Sequence, residues 1–135
     1  MADDCVWQEK NLAVVRRLLE EGFGQGLVHW LPNEVAADYV GHLAIGDHYG
    51  PEGVRIDIDG YRAQLTDLSV TVDDLFAYGD RVARRFTFRG TTRDMPPGTR
   101  IDEAPVVLSG IAIDRFDEGR LVESWVQLDR LSRER

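Results

Sequence analysis

Apolar and polar positions follow two rhythms along this chain, one in each half. In "VWQEKNLAVVRRLLEEGFGQG" the apolar residues Leu12, Val15, Leu18 and Leu19 recur at helical spacing, with Arg16, Arg17, Glu20 and Glu21 on another face. Gly22, Gly24 and Gly26 then stop the helix. "VHWLPNEVAADYVGHLAIGDHYG" reads as a turn before Pro32, a second short helix through Val40, and a loop. Pro51 and Glu52 suit the first turn of a third helix, although Ile56, Asp57, Ile58, Asp59 and Gly60 are poor helix formers.

After residue 64 the period changes to two. Leu68, Val70 and Val72 alternate with polar residues and lose phase at Asp73–Asp74, the mark of a bulge. "RVARRFTFRGTTR" follows the turn Gly79–Asp80 and is rich in β-formers. Its parities are Val82, Arg84, Phe86 and Phe88 against Ala83, Arg85, Thr87 and Arg89, with the two phenylalanines in the core. "MPPGTRIDEAP" is a loop. "VVLSGIAIDRF" and "RLVESWVQLDRL" flank "DEG", a hairpin with Gly119 at positive φ. Helices first and about four long antiparallel strands afterwards predict an α+β domain, with helices packed on one face of a curved sheet that encloses a cone-shaped cavity.

Composition narrows the classes of function. The 135 residues are the size of one domain, read here as 1–135, and 43% are hydrophobic. No apolar run reaches the length of a membrane span, and the acidic N-terminus has no signal-peptide pattern, so a cytoplasmic protein is expected. A formal net charge of −8 argues against a nucleic-acid surface. Cys5 is the single cysteine, a free thiol, and no ligand cluster or glycine-rich dinucleotide motif calls for a metal or cofactor. Lys10 is the only lysine among 16 basic residues, on an exposed helix face, which leaves Schiff-base chemistry without a donor elsewhere.

The last strand poses the functional question. Strict alternation puts Leu121, Glu123, Trp125, Gln127 and Asp129 on one face and Val122, Ser124, Val126 and Leu128 on the other. The first face is too polar for a core and too aromatic for a solvent face.

The ordered series "NLAVVRRLLEE", "DYVGH", "GPEGVR", "LTDLSVTVDDLFAYGDRVARRFTFRGTT" and "SGIAIDRFDEGRLVESWVQLD" resembles the SnoaL-like polyketide and ester cyclases. These belong to the nuclear-transport-factor-2-like superfamily of cone-shaped α+β barrels. The resemblance runs from about Asn11 to Asp129, and GPEGVR, the GD-R-V strand start and the Glu-x-Trp-x-x-x-Asp ending are its most diagnostic parts. It implies a cofactor-independent enzyme acting on a hydrophobic, carbonyl-rich small molecule, such as a polyketide intermediate of antibiotic or other secondary metabolism. Asp129 corresponds to the family's general acid/base. It would take a proton from carbon between carbonyls and return it to the oxygen formed when the enolate attacks an aldehyde or ester carbonyl.

On this reading Trp125 and Gln127 shape the pocket, and His42, which matches the end of the family's Asp-Tyr-x-x-His segment, assists as an electrophile or orients substrate. Tyr39 and Tyr61 are candidates to stack against or hydrogen-bond a flat substrate. His48 and Tyr49 are read as loop residues, His29 and Trp30 as packing. Many relatives carry a polar residue where this chain has Ala112, which pairing across the hairpin would place near Trp125 on the pocket face.

Two alternatives stand beside ring closure. One is epoxide opening, with Arg100, Asp102 and Asp129 supplying an Asp-Arg-Asp layout; the other is a non-catalytic binding protein. Either parity of the strands holds apolar residues, including Val107, Ile111 and Ile113 on one and Leu108, Gly110 and Ala112 on the other. One parity fills the cone, so the other predicts an exposed patch buried in a homodimer, with Val126 near the interface.

Overall fold

A computed structural model describes residues 2–93 and 103–129. Helix α1 (Ala2–Arg17) runs directly into a π-helical turn, Leu18–Phe23, and the short α2 spans Leu31–Glu34. Strands β1 (Val35–Leu43) and β2 (Gly46–Tyr49) precede α3 (Gly50–Gln64). The long strands β3 (Leu65–Tyr78), β4 (Arg81–Thr92), β5 (Pro105–Asp117) and β6 (Arg120–Leu128) complete one sheet, ordered β2-β1-β6-β5-β4-β3.

The α+β reading, with N-terminal helices on a curved sheet, is what the structure shows. The expected helix through Val40 is instead β1. It pairs antiparallel with β2 and parallel with β6, so six strands replace the four expected and the sheet is not wholly antiparallel. Flanked on both sides, β1 satisfies its backbone through ladders and its alternation buries Val35, Tyr39 and Gly41, which weak local helix preference cannot offset.

Cross-strand pairs share a face, and they divide the sheet cleanly. One inner row runs Ala77–Val82–Asp114–Ser124–Gly41–His48, and the next runs Leu75–Arg84–Ala112–Val126. A third is Val72–Phe86–Gly110–Leu128. The helices close over this face: Val15, Leu18, Leu19, Val54 and Ile58 are buried against Phe86, Phe88 and Leu108. The outer rows are Phe76–Ala83–Ile113–Trp125–His42, Tyr78–Arg81–Arg115–Glu123–Val40 and Asp74–Arg85–Ile111–Gln127.

A bulge in β6 decides which residues go where. Phe116 pairs with Leu121 but Arg115 pairs with Glu123, so Val122 is the extra residue. Leu121 points into the core at 1% exposure, and everything after Val122 is inverted relative to simple alternation: Ser124, Val126 and Leu128 face inward. The bulge and the hairpin turn read from the sequence are in place. Register shifts between Val72 and Asp74, and the hairpin turn at Glu118–Gly119 has φ of 49° and 81°, both left-handed as a tight type I′ turn requires.

The inner face is packed without slack at Gly110. A Cβ there would lie 2.4 Å from the Phe86 ring and 3.0 Å from Leu128. Gly110→Ala is expected to destabilise the protein by about 1–3 kcal/mol through overpacking. The check is a lower urea midpoint at an unchanged denaturant slope.

Candidate active site

The cone holds a cavity of about 40 Å³, lined mainly by apolar side chains: Leu18, Phe23, Leu43, Val54, Phe86, Phe88, Val126 and Leu128. That is room for a few waters, so a ring-sized occupant must part the lining side chains. Four polar residues interrupt the wall, namely Tyr39, Asp57, Tyr61 and Arg84. The π-helical turn contributes by rotating both Leu18 and Phe23 toward the cavity.

Asp57 sits on α3 between Val54 and Tyr61, one helical turn from each, so the helix's buried stripe carries a carboxylate into the cone. Its Oδ1 accepts a hydrogen bond from His48 Nδ1 at 2.5 Å. Because a carboxylate only accepts, this bond places the imidazole proton on Nδ1. Burial pushes the Asp57 carboxyl above the usual carboxylate range, and the charge and hydrogen bond of His48 pull it partly back. The close approach of α3 to β2 depends on Gly53, where a Cβ would lie 3.0 Å from His48.

Tyr39, on β1, is 5% exposed, and burial pushes its hydroxyl up to about 12 despite an opposing hydrogen bond with Ser124. It therefore stays protonated at neutral pH and can only be used as a donor or weak acceptor. Its hydroxyl lies over Gly41, where a Cβ would come within 2.7 Å. Tyr61 is also shifted upward, first by burial and then by the charge of Asp57.

Arg84 and Asp114 form an ion pair on the inner face, at 5% and 0% side-chain exposure. Arg84 Nε donates to Asp114 Oδ2 at 2.9 Å and Nη2 to Oδ1 at 3.1 Å. Ser124 Oγ adds a third donation to Oδ1 at 2.6 Å. Asp114 thereby accepts three hydrogen bonds inside an apolar wall, two of them from its ion-pair partner.

Several expected site residues lie elsewhere. Trp125 and Gln127 project from the outer face of β6, not into the cone, because the bulge at Val122 reverses their parity. Asp129 follows on the same side and is exposed. It extends the ladder, accepting from the Ser109 backbone N–H at 2.9 Å while its own N–H donates to Ser109 O. His42 is also on the outer face. Its Nδ1 meets Asp47 at 3.1 Å and its Nε2 meets Glu123 at 2.7 Å, and these two bonds, Glu123 first, raise its pKa. The His42 and Trp125 rings stack at 5.7 Å, and the Arg81 guanidinium lies over the Trp125 ring at 5.2 Å.

Ala112 does face inward, but opposite Val126 rather than Trp125, and the strand's inward acid is Asp114, two residues on. Of the six candidates, the structure brings Tyr39 and Tyr61 to the cavity. Arg100 and Asp102 lie outside the described residues. Asp57, Arg84 and Asp114 were missed, although each is a charge at a position whose neighbours in phase are apolar.

Comparison with known proteins agrees with this architecture. Residues 13–135 match the family of SnoaL-like polyketide cyclases. No curated protein sequence matches the chain. Among solved structures, IdmH from Streptomyces antibioticus is 30% identical with a TM-score of 0.71, over 88% of this chain and 91% of that one. TsrD from Streptomyces laurentii is 23% identical with a TM-score of 0.76, over 90% and 89%. A protein of ketosteroid isomerase-like fold from Catenulispora acidiphila, in complex with trimethylamine, superposes at 0.67 with 18% identity, over 84% and 83%. With residues 13–135 inside the family match, the chain belongs to the SnoaL-like polyketide cyclase family, on the nuclear-transport-factor-2-like fold.

Proposed function

We propose that the protein is a cyclase that closes a ring in a carbonyl-rich intermediate by an aldol-type reaction, with Asp57 as its acid/base. The observation that carries this reading is a largely buried carboxylate in the wall of a mainly apolar cavity, fixed by a histidine. Asp57 removes the proton from a carbon between two carbonyls, and the electrons of that C–H bond move onto the carbonyl oxygen. The enolate carbon attacks an aldehyde or ester carbonyl of the same molecule, forming the ring bond, and protonated Asp57 returns its proton to the new alkoxide. A carboxyl whose pKa is raised suits both steps, since it is a stronger base when ionised and a ready donor once protonated. Tyr39 and Tyr61 supply hydroxyls to the substrate's oxygens, and His48 positions the carboxylate.

Asp129, the residue that the resemblance points to, is occupied in the β5–β6 ladder on the outer side, so the two carboxylates make opposite forecasts. Asp57→Asn is expected to fold and to lose at least about 100-fold in turnover, whereas Asp129→Asn keeps most of it. Loss confined to Asp129→Asn would reverse the assignment. The pH profile gives a second check. The base works ionised, so activity rises as pH increases through a limb displaced above the ordinary carboxylate value of 3.8 toward neutrality by burial.

The same reading includes a homodimer, formed by the outer sheet face. Val107, Ile111, Ile113 and Phe76 are 60%, 57%, 44% and 62% exposed, and Trp125 adds an indole beside them, an apolar surface that a lone sheet does not ordinarily leave wet. Val126, expected at this interface, lines the cavity instead. Arg85 and Arg89 lie on the outer face and provide a polar rim. Light scattering at micromolar concentration should give about twice the chain mass of 15.3 kDa, and Ile111→Glu should return the protein to monomer by placing a charge in the contact.

A further inference from the structure

We infer that Arg84 is the donor that receives the oxygen on which negative charge develops, and that the cavity selects neutral 1,3-dicarbonyl carbon acids over ligands that arrive as anions. This rests on the cavity being the reaction site proposed above, with Asp57 as base.

The argument starts from unequal use of one guanidinium. Arg84 lines the cavity at 5% exposure and spends Nε and Nη2 on Asp114. Nη1 has no hydrogen-bond partner among the described residues. Arg84 is part of the cavity wall, so an acceptor that enters the cavity can take this N–H without displacing an existing bond. Of the other polar groups of the wall, Asp57 is an acceptor bonded to His48, Tyr39 shares its hydroxyl with Ser124, and Tyr61 offers a neutral hydroxyl, a weaker donor to a developing anion than a guanidinium.

Charge then limits what the acceptor can be. The Arg84 cation is cancelled by Asp114, and His48 can at most cancel Asp57. The cavity therefore has no surplus positive charge to draw a carboxylate or phosphate out of water, and the ionised Asp57 repels one. A neutral carbonyl oxygen carries no such penalty. When its carbon gives a proton to Asp57, total charge in the cavity is unchanged while negative charge moves to the oxygen facing Nη1, where a charge-assisted hydrogen bond strengthens. Asp114 and Ser124 act as positioning residues, holding the guanidinium plane so that its free edge needs no reorganisation.

Acetylacetone, the smallest linear 1,3-diketone, tests this without turnover, because its enolate absorbs differently from the neutral compound. In Asp57→Asn, which stands for the enzyme after proton abstraction, the enolate should bind about tenfold or more tightly than the neutral diketone, the range of a hydrogen bond to a charged group. Bound acetylacetone should then ionise at lower pH than free acetylacetone. Arg84→Gln combined with Asp114→Asn, which avoids stranding a buried charge, should abolish that preference. Arg84→Lys, which keeps a cation for Asp114 but loses the second arm, should reduce it should the double variant fail to fold. Equal affinity for the two forms, no binding of either to folded Asp57→Asn, or a preference that survives both variants would overturn the assignment. Failure here with Asp57→Asn still inactive would remove Arg84's role and leave the cyclase reading standing. An active Asp57→Asn would instead remove the base.

Discussion

Arg84 and Asp114 are taken out of water on the inner face of a sheet, and the surrounding structure exists largely to make that tolerable. A lone buried charge at either position would cost about 3–5 kcal/mol, a substantial part of the stability of a domain this size. The pair meets that cost through two hydrogen bonds between β4 and β5 and a third from Ser124 on β6. Three adjacent strands must therefore keep their register to within a fraction of a residue. Phe86, whose ring lies 5.0 Å from the Arg84 guanidinium carbon, and the bare backbone of Gly110 beneath that ring fix the pair's depth. What the wall gains is one polar group tied to three strands.

Much of this could be read from the chain before folding was known. Period-two alternation over β3 to β6, the bulge at Asp73–Asp74 and the turn at Gly119 were explicit, because each is dictated locally by β-propensity and φ. The sides of β6 were not. A bulge at Val122 leaves no composition mark: Leu121, Val122, Glu123 and Ser124 read as an uninterrupted alternation, and only pairing with Phe116 and Arg115 on β5 shows the extra residue. One inserted position flips every side chain after it, so a parity argument that was right for Leu121 was wrong for Trp125, Gln127 and Asp129. β1 was hidden for the same reason. "VAADYVGH" has little local preference for a strand, and its extended form is stabilised by neighbours more than eighty residues away.

The site charges were visible but unread. Arg84 lies in phase with Val82, Phe86 and Phe88, Asp114 in phase with Leu108, Ala112 and Phe116, and Asp57 in helical phase with Val54 and Tyr61. A single charge in an apolar phase reads as noise. A cation and an anion in apolar phases of adjacent strands read as a pair, since neither could be buried alone. The family resemblance did not supply this, because it pointed to Asp129 as the acid/base and His42 as its helper.

Those motif residues still have a coherent physical role, only on the opposite face. Glu123 joins Arg115 of β5 at 3.0 Å to His42 of β1 at 2.7 Å, and His42 reaches Asp47 of β2. Trp125 stacks with His42 and packs with the Arg81 guanidinium of β4. This outer plate ties β1 and β2 to the long strands at the parallel β1–β6 junction, which has no tight turn to set its register. It matters to the cavity because β2 carries His48 and β1 carries Tyr39: Gly41, paired with both Ser124 and His48, transmits the outer plate's register to the inner row. The His42 bonds also make that tie sensitive to pH. Because the folded-state pKa of His42 is raised, its contribution is complete below the ordinary imidazole value and fades as pH climbs through the raised one. The outer plate thus sets the strands, the strands set His48, and His48 aims the Asp57 carboxylate into the cone.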